Sequence, residues 1–285
     1  MAERPDLDYF VPILAGELAG QAIRAVRVDE PVVLRVAVRE TVAEALPGGT
    51  FGRIVRRGHF VVMPIERGDR PPLDLVFAPM LAGRFALVDA TAKRTRDVAL
   101  GLTLHDGREL RFRDDVKMGK VYVVTRGDSA SIPGLGGVGI DVLSSLFTKD
   151  AFRALAKRRR DQVRVFLMDK SALDAFGNAY ADEVLFEARL HPKTFVRTLG
   201  EDDLDRLHAA IITVLTRANE EIARRRPPID EKLRDFLAVR NRHGQPCPRC
   251  GATIRRAGVH GHDTFFCPEC QPDGRKSSIV DFRRR

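Results

Sequence analysis

The sequence predicts an α+β chain of several domains: an N-terminal β-sandwich with a leading helix, a helical domain, and a C-terminal zinc ribbon. Three observations carry this. Short β-branched runs fill residues 31–125, apolar residues at helical spacing dominate 148–223, and all four cysteines fall in two CxxC pairs near the end. A chain of 285 residues with 44% hydrophobic side chains can fill the cores of two ordinary domains and still carry a small module. The sandwich reads over 1–130, a linker over 131–147, the helical domain over 148–240 and the metal module over 241–285.

Phe10, Ile13, Leu14, Leu18 and Ile23 recur at helical spacing, which places the first helix over 9–25, behind a short acidic leader with Glu3, Asp6 and Asp8. The period then shortens to two, with strand runs at 32–38, 51–65, 73–78, 83–90, 98–113 and 120–124. His105-Asp106-Gly107-Arg108 lies inside one run and reads as a tight hairpin, because Asp-Gly readily supplies positive φ angles. An antiparallel sandwich or barrel suits this half. The turn-forming stretch from Ser131 to Gly139 reads as an interdomain linker. Farther on, Leu204, Leu207, Ile211, Val214, Leu215, Ala218 and Ile222 fall on one helical face, ended by Arg224 to Pro228 and followed by a further short helical stretch.

The net charge of +9 is concentrated at the C-terminal end, where the last 45 residues hold nine Lys/Arg against four Asp/Glu. That balance fits a polyanionic partner, and equally solubility or an anionic membrane. Basic groups such as Arg153, Lys157, Arg158, Arg159 and Arg160, or Arg224 to Arg226, need be no more than solvated helix faces. No run of about eighteen apolar residues occurs, and the N-terminus lacks the basic start and apolar core of a signal peptide. A cytoplasmic protein without a membrane partner is the expectation.

Cys247-Pro-Arg-Cys250 and Cys267-Pro-Glu-Cys270 have the spacing of a zinc ribbon. Each CxxC turn points two thiolates at one centre, and the residues between can form a hairpin that closes a tetrahedron. Four protein ligands leave no open position, so the single Zn²⁺ is structural, holding a segment too small to bury its own core. Arg255 and Arg256 on that hairpin can face phosphates or act as counterions to the thiolates. His260 and His262 are not needed as ligands.

Three blocks of the sequence together resemble the formamidopyrimidine-DNA glycosylase and endonuclease VIII family. They are the acidic, proline-containing start from Ala2 to Asp8, the stretch from Leu167 to Pro192 with its Gly177-Asn178-x-Tyr180-Ala181 run, and the finger ending Thr264-Phe265-Phe266-Cys267. The resemblance spans nearly the whole chain. It implies a helix-two-turns-helix core in the helical domain and a monomer clasping bent double-stranded DNA, damaged or abasic. The family flips the damaged base out of the stack. Its N-terminal amine then attacks C1′, forms a Schiff base and allows β-elimination, while the adjacent glutamate handles protons. Carried onto this chain, the amine belongs to Ala2 after removal of Met1, the glutamate is Glu3, and Asn178 holds phosphate near the lesion. Asn178 would also cap the helix that it opens.

The sequence departs from the family at several positions. Ala2 stands for the proline, though a neutral α-amine can still form a Schiff base. Glu3 can otherwise be read as a solvated acid. His59 stands for a lysine, exchanging a permanent cation for a group that can reach a phosphate, shuttle a proton, or merely sit at a β-edge. Lys117 and Met118 replace an Arg-Arg-Phe wedge, as a softer insert or an ordinary turn. Ala175 replaces a glycine, and His262 replaces the hairpin arginine. The expected function is a base-excision repair glycosylase with AP lyase activity in a nucleoid setting. The alternative is a protein of the same fold that binds damaged DNA without cutting. A zinc ribbon for RNA or proteins would leave the Gly177-Asn178 block unexplained.

Overall fold

In the computed structural model, which describes residues 2–174 and 176–273, helix α1 (Arg4–Leu18) starts within the acidic leader and not behind it. The Asp6 carboxylate accepts the Glu3 amide at 2.8 Å, and Pro5 suits a first helical turn. Ile23 matches the helical spacing but opens strand β1 (Ile23–Val28), because Gly20 at φ +76° ends the helix and Ile23 pairs with Leu104. Ile13 stays partly exposed. The buried stripe of α1 is Leu7, Phe10, Val11, Leu14 and Leu18.

The run at 32–38 reduces to a 3-10 turn at Pro31–Val33 and a short β2 (Leu34–Val36), followed by a one-turn helix α2 (Val42–Ala45). Next come β3 (Thr50–Phe51), β4 (Val55–Arg57), β5 (Phe60–Arg67), β6 (Arg70–Ala78) and β7 (Arg84–Asp89). The half closes with β8 (Val98–Leu104), β9 (Arg108–Arg113) and β10 (Lys120–Thr125). One sheet has the order β1-β8-β9-β7; the other runs β2-β10-β6-β5-β3, with β4 paired to β5. All pairings are antiparallel except β2 with β10. Gly107 at φ +88° makes the hairpin between β8 and β9. Phe77, Phe85 and Phe112 fill the space between the sheets, with ring centroids 5.0–5.5 Å apart, and Phe10 of α1 joins them at 5.5 Å.

The Gly-rich connection is pinned to its neighbours. Ile132 and Leu135 are buried with Phe60, Val76, Ala78 and Val124, while the Gly139 amide bonds the Lys170 carbonyl at 2.8 Å. A side chain at Gly139 would collide with the backbone of Ala172 and Leu173, so only glycine permits that approach. Helices α3 (Lys149–Lys157), α4 (Val163–Met168), α5 (Asn178–Glu187) and α6 (Glu201–Arg225) follow, and the expected apolar face of α6 is buried throughout. No helix follows Pro228 among the described residues. Instead the Glu183 carboxylate accepts the amides of Ala238, Val239 and Arg240 at 2.7–2.9 Å and holds that backbone as a loop.

Charged side chains join the two halves. Arg56 of β4 bonds Asp174 at 2.5 Å, Asp8 at 3.0 Å and Asp141 at 3.2 Å, and Arg4 of α1 contacts Asp8 and Asp141. The N-terminus of α1 is thereby fixed against the loop that leads into α5.

Candidate active site and metal centre

Glu3 is buried at the junction of the halves. Its carboxylate reaches the first turn of α5, accepting the amides of Ala179 and Tyr180 at 3.0 Å each. These are unpaired donors at the positive end of a helix dipole. Gly177 makes the approach possible, since a Cβ there would lie 2.3 Å from the Glu3 Cδ. Burial pushes the Glu3 carboxyl above its ordinary range, against the Arg234 guanidinium and the two amides, which pull it down. Ala2, beside it, is almost fully buried.

His59 occupies the two-residue turn between β4 and β5, after Gly58 at φ +61°. Burial, aided by the nearby Lys170 charge, pushes its imidazole down to about 3, so it is neutral at physiological pH. Lys170 lies between the two predicted groups electrostatically. Burial lowers its ammonium below the usual lysine value, and the Glu3 charge opposes that fall. His59 and Lys170 line one open cavity of about 360 Å³ with Phe60, Met80, Lys120 and Tyr122. Met80 has a left-handed backbone, φ +48°, an uncommon strain for a long side chain.

Asn178 is the first residue of α5 and Gly177 holds the capping position, which corrects the expected capping role. The Asn178 Oδ1 accepts from Arg164 at 2.8 Å. Arg164 also donates to Asp182 at 3.1 Å and to the Asp263 carbonyl at 3.2 Å. Asp182, fully buried, accepts Arg240 at 2.8 Å, the Thr264 hydroxyl at 2.6 Å and the Phe265 amide at 3.1 Å. The metal hairpin, β11 (Arg255–Val259) and β12 (His262–Phe266), is therefore joined to Asn178 through two arginines and one carboxylate.

At the base of that hairpin the four sulfurs lie within 4.8 Å of one another, with Cys247 to Cys270 at 3.9 Å and Cys250 to Cys267 and Cys270 at 3.5 Å. A tetrahedron with bonds near 2.3 Å has edges of about 3.8 Å, so Cys247, Cys250, Cys267 and Cys270 fit one structural zinc ion. Phe186, Val239, Ile254 and Phe265 pack around the buried thiols.

The structure thus brings Ala2, Glu3, His59 and Asn178 to one junction, with β12 of the hairpin linked to it through Asp263, Thr264 and Phe265. Arg255, Arg256 and His262 are exposed on the hairpin, and Arg256 reaches Asp263 at 3.5 Å. Lys117 and Met118 occupy an exposed turn organised by Asp114, which accepts the amides of Val116, Lys117 and Gly119. The Lys117 ammonium is paired with Glu30 at 2.5 Å. Ala175 lies outside the described residues. Sequence reasoning passed over Lys170, Met80 and the group Arg164, Asp182 and Arg240. Lys170 and Asp182 stood inside the Leu167–Pro192 block, but nothing in their spacing marks what they face.

Fold and site together define a class: a zinc-finger protein with a helix-two-turns-helix core, whose N-terminal residues meet the start of a helix. Comparison with known proteins makes this specific. Residues 1–121 match the formamidopyrimidine-DNA glycosylase N-terminal domain, 138–225 its H2TH domain, and 244–272 the zinc finger found in FPG and IleRS. A formamidopyrimidine-DNA glycosylase of Symbiobacterium thermophilum is 32% identical over 95% of this chain and 90% of its own length. One from Thermus thermophilus is 32% identical over 96% of this chain and all of its own. A crystal structure of the Lactococcus lactis Fpg with DNA containing an abasic site superposes with a TM-score of 0.84 at 25% identity, covering 95% of this chain and all of that one. The chain belongs to the formamidopyrimidine-DNA glycosylase family.

Proposed function

We propose that this chain excises damaged bases from double-stranded DNA and cleaves the strand at the abasic site, with Ala2 as nucleophile and Glu3 as proton-transfer group. The observation that carries the reading is Glu3: a buried carboxyl next to the terminal residue, held on the amides of Ala179 and Tyr180 and raised toward its protonated form. The relatives are named formamidopyrimidine-DNA glycosylase, and the L. lactis neighbour is bound to abasic DNA.

Removal of Met1 exposes an α-amine with an ordinary pKa of about 7.7–8.0, which keeps a sizeable neutral fraction near physiological pH. Its lone pair adds to C1′, and the resulting carbinolamine loses water to an imine, the departing hydroxyl taking a proton from Glu3. Removal of a C2′ proton then expels the 3′ phosphate. Asn178 holds phosphate beside the junction, while Arg255, Arg256 and His262 on the zinc hairpin, with Lys117 and Met118 on the sandwich, contact the duplex. Zinc supplies rigidity to the hairpin and no chemistry. No described helix is long and apolar enough to cross a membrane. A DNA partner supports a monomer working in the cytoplasm with the nucleoid.

Borohydride added during reaction with an abasic duplex reduces the imine to a stable amine. The expected result is a covalent complex whose DNA maps to residue 2. No complex from a chain with a verified free Ala2 and full zinc would overturn the nucleophile.

A further inference from the structure

The cavity beside the junction has a composition that the N-terminal amine does not account for. It is lined by Phe60, Ala78 and Tyr122 of the second sheet, by Met80 in the turn after β6, by Pro133, Gly134 and Gly137 of the connection, and by Lys170 and Ser171 ahead of α5. Two amines, Lys120 and Lys170, face a space of about 360 Å³ that is open to solvent and otherwise largely apolar. This suits a sugar with its phosphate: apolar surface for the carbon skeleton, cations for the anion.

The two lysines differ. Lys120 is the first residue of β10, whereas Lys170 is largely withdrawn from solvent on a loop tied to the connection by the Gly139 amide. We propose that the Lys170 Nζ is a second imine-forming amine of this site, condensing with the C1′ aldehyde of an abasic nucleotide lodged in the cavity. The proposal rests on the lyase reading above, adding a second nucleophile to it.

Three observations support it. Lys170 lines the cavity, where an aldehyde can reach it. Burial lowers its pKa, which enlarges the neutral, nucleophilic fraction, as in other lysines that form Schiff bases. Glu3 lies near enough for its charge to act on Lys170, so one carboxyl can serve both amines.

The step balances without a co-reactant. The Lys170 lone pair forms the N–C1′ bond as the carbonyl π electrons move to oxygen, and a proton passes from nitrogen to that oxygen. Loss of the hydroxyl as water, with a proton from Glu3, leaves the protonated imine, which borohydride reduces by hydride addition to C1′.

The test uses the full-length, zinc-loaded chain, abasic duplex and borohydride, followed by peptide mapping of the adduct. Three chains are compared: the natural one, one with an uncleavable residue ahead of Ala2, and Lys170→Arg, which keeps the cation and removes the nucleophile. Expected are adducts at residue 2 and at Lys170 in the natural chain, retention of the Lys170 adduct alone after extension, and its loss in Lys170→Arg. Mapping the natural chain needs no variant to fold. An adduct at residue 2 only, abolished by extension, overturns the inference and leaves the N-terminal mechanism standing. An adduct at Lys170 only overturns that mechanism and keeps the inference, and no adduct anywhere overturns both.

Discussion

The metal hairpin and the N-terminal junction meet near Asn178 but handle buried charge in opposite ways. Around Asp182 the buried carboxylate is fully paired: Arg164 and Arg240 bracket it, and its remaining lone pairs take Thr264 and Phe265. Around Glu3, His59 and Lys170 burial dominates, and every one of these groups titrates away from its ordinary value. The first arrangement is rigid and holds the hairpin to α5. The second stores the proton affinities that acid–base and imine chemistry require. Under the proposed function, the difference separates a region that positions DNA from one that reacts with it.

Removing the metal breaks the first region most severely. Chelation or Cys267→Ser should abolish DNA binding, read by duplex binding, while circular dichroism still reports a folded sandwich with its own aromatic core. Retained affinity in a zinc-free chain would contradict the assignment of the hairpin to DNA.

Asp182→Ala should come next. It leaves Arg164 and Arg240 without their shared anion, a loss of about 3–5 kcal/mol expected for breaking a buried pair. Denaturant unfolding reads it, and stability equal to the natural chain would show that the network is incidental.

An effect absent at neutral pH and growing only in acid belongs to the reactive side. His59 is lowered from 6.5 to about 3, so the unfolded chain takes a proton that the folded chain refuses. Above pH 6.5 both states are neutral and nothing is gained or lost; as pH falls from there toward about 3, stability drops by up to about 1.4 kcal/mol per pH unit. His59→Gln should flatten that limb in unfolding measured across the window. An unchanged slope would place the acid sensitivity elsewhere.

Legibility in the sequence follows how local each signal is. The zinc ligands were readable because a CxxC turn fixes two ligands within four residues. The face of α6 was readable because one helix supplies the whole pattern. The start of α1 was not: Glu3, Arg4 and Asp6 look like a solvated leader until α5, Asp141 and Arg234 are placed against them. Ile23 kept the helical spacing by coincidence, and only pairing with Leu104 makes it a strand. Lys170 and Asp182 depend on partners from distant segments, which no local period encodes.

The proposed function requires the junction to perform chemistry and not only to bind. Release of a free oxidised base from a lesion-bearing duplex, measured for the natural chain and for Glu3→Gln, tests it directly. The natural chain should release base, and Glu3→Gln, equal in size but unable to transfer the proton, should bind the duplex as tightly and lose about 10²–10⁴-fold in rate. A zinc-loaded natural chain that binds the lesion and releases no base, or a Glu3→Gln chain as fast as the natural one, would contradict it.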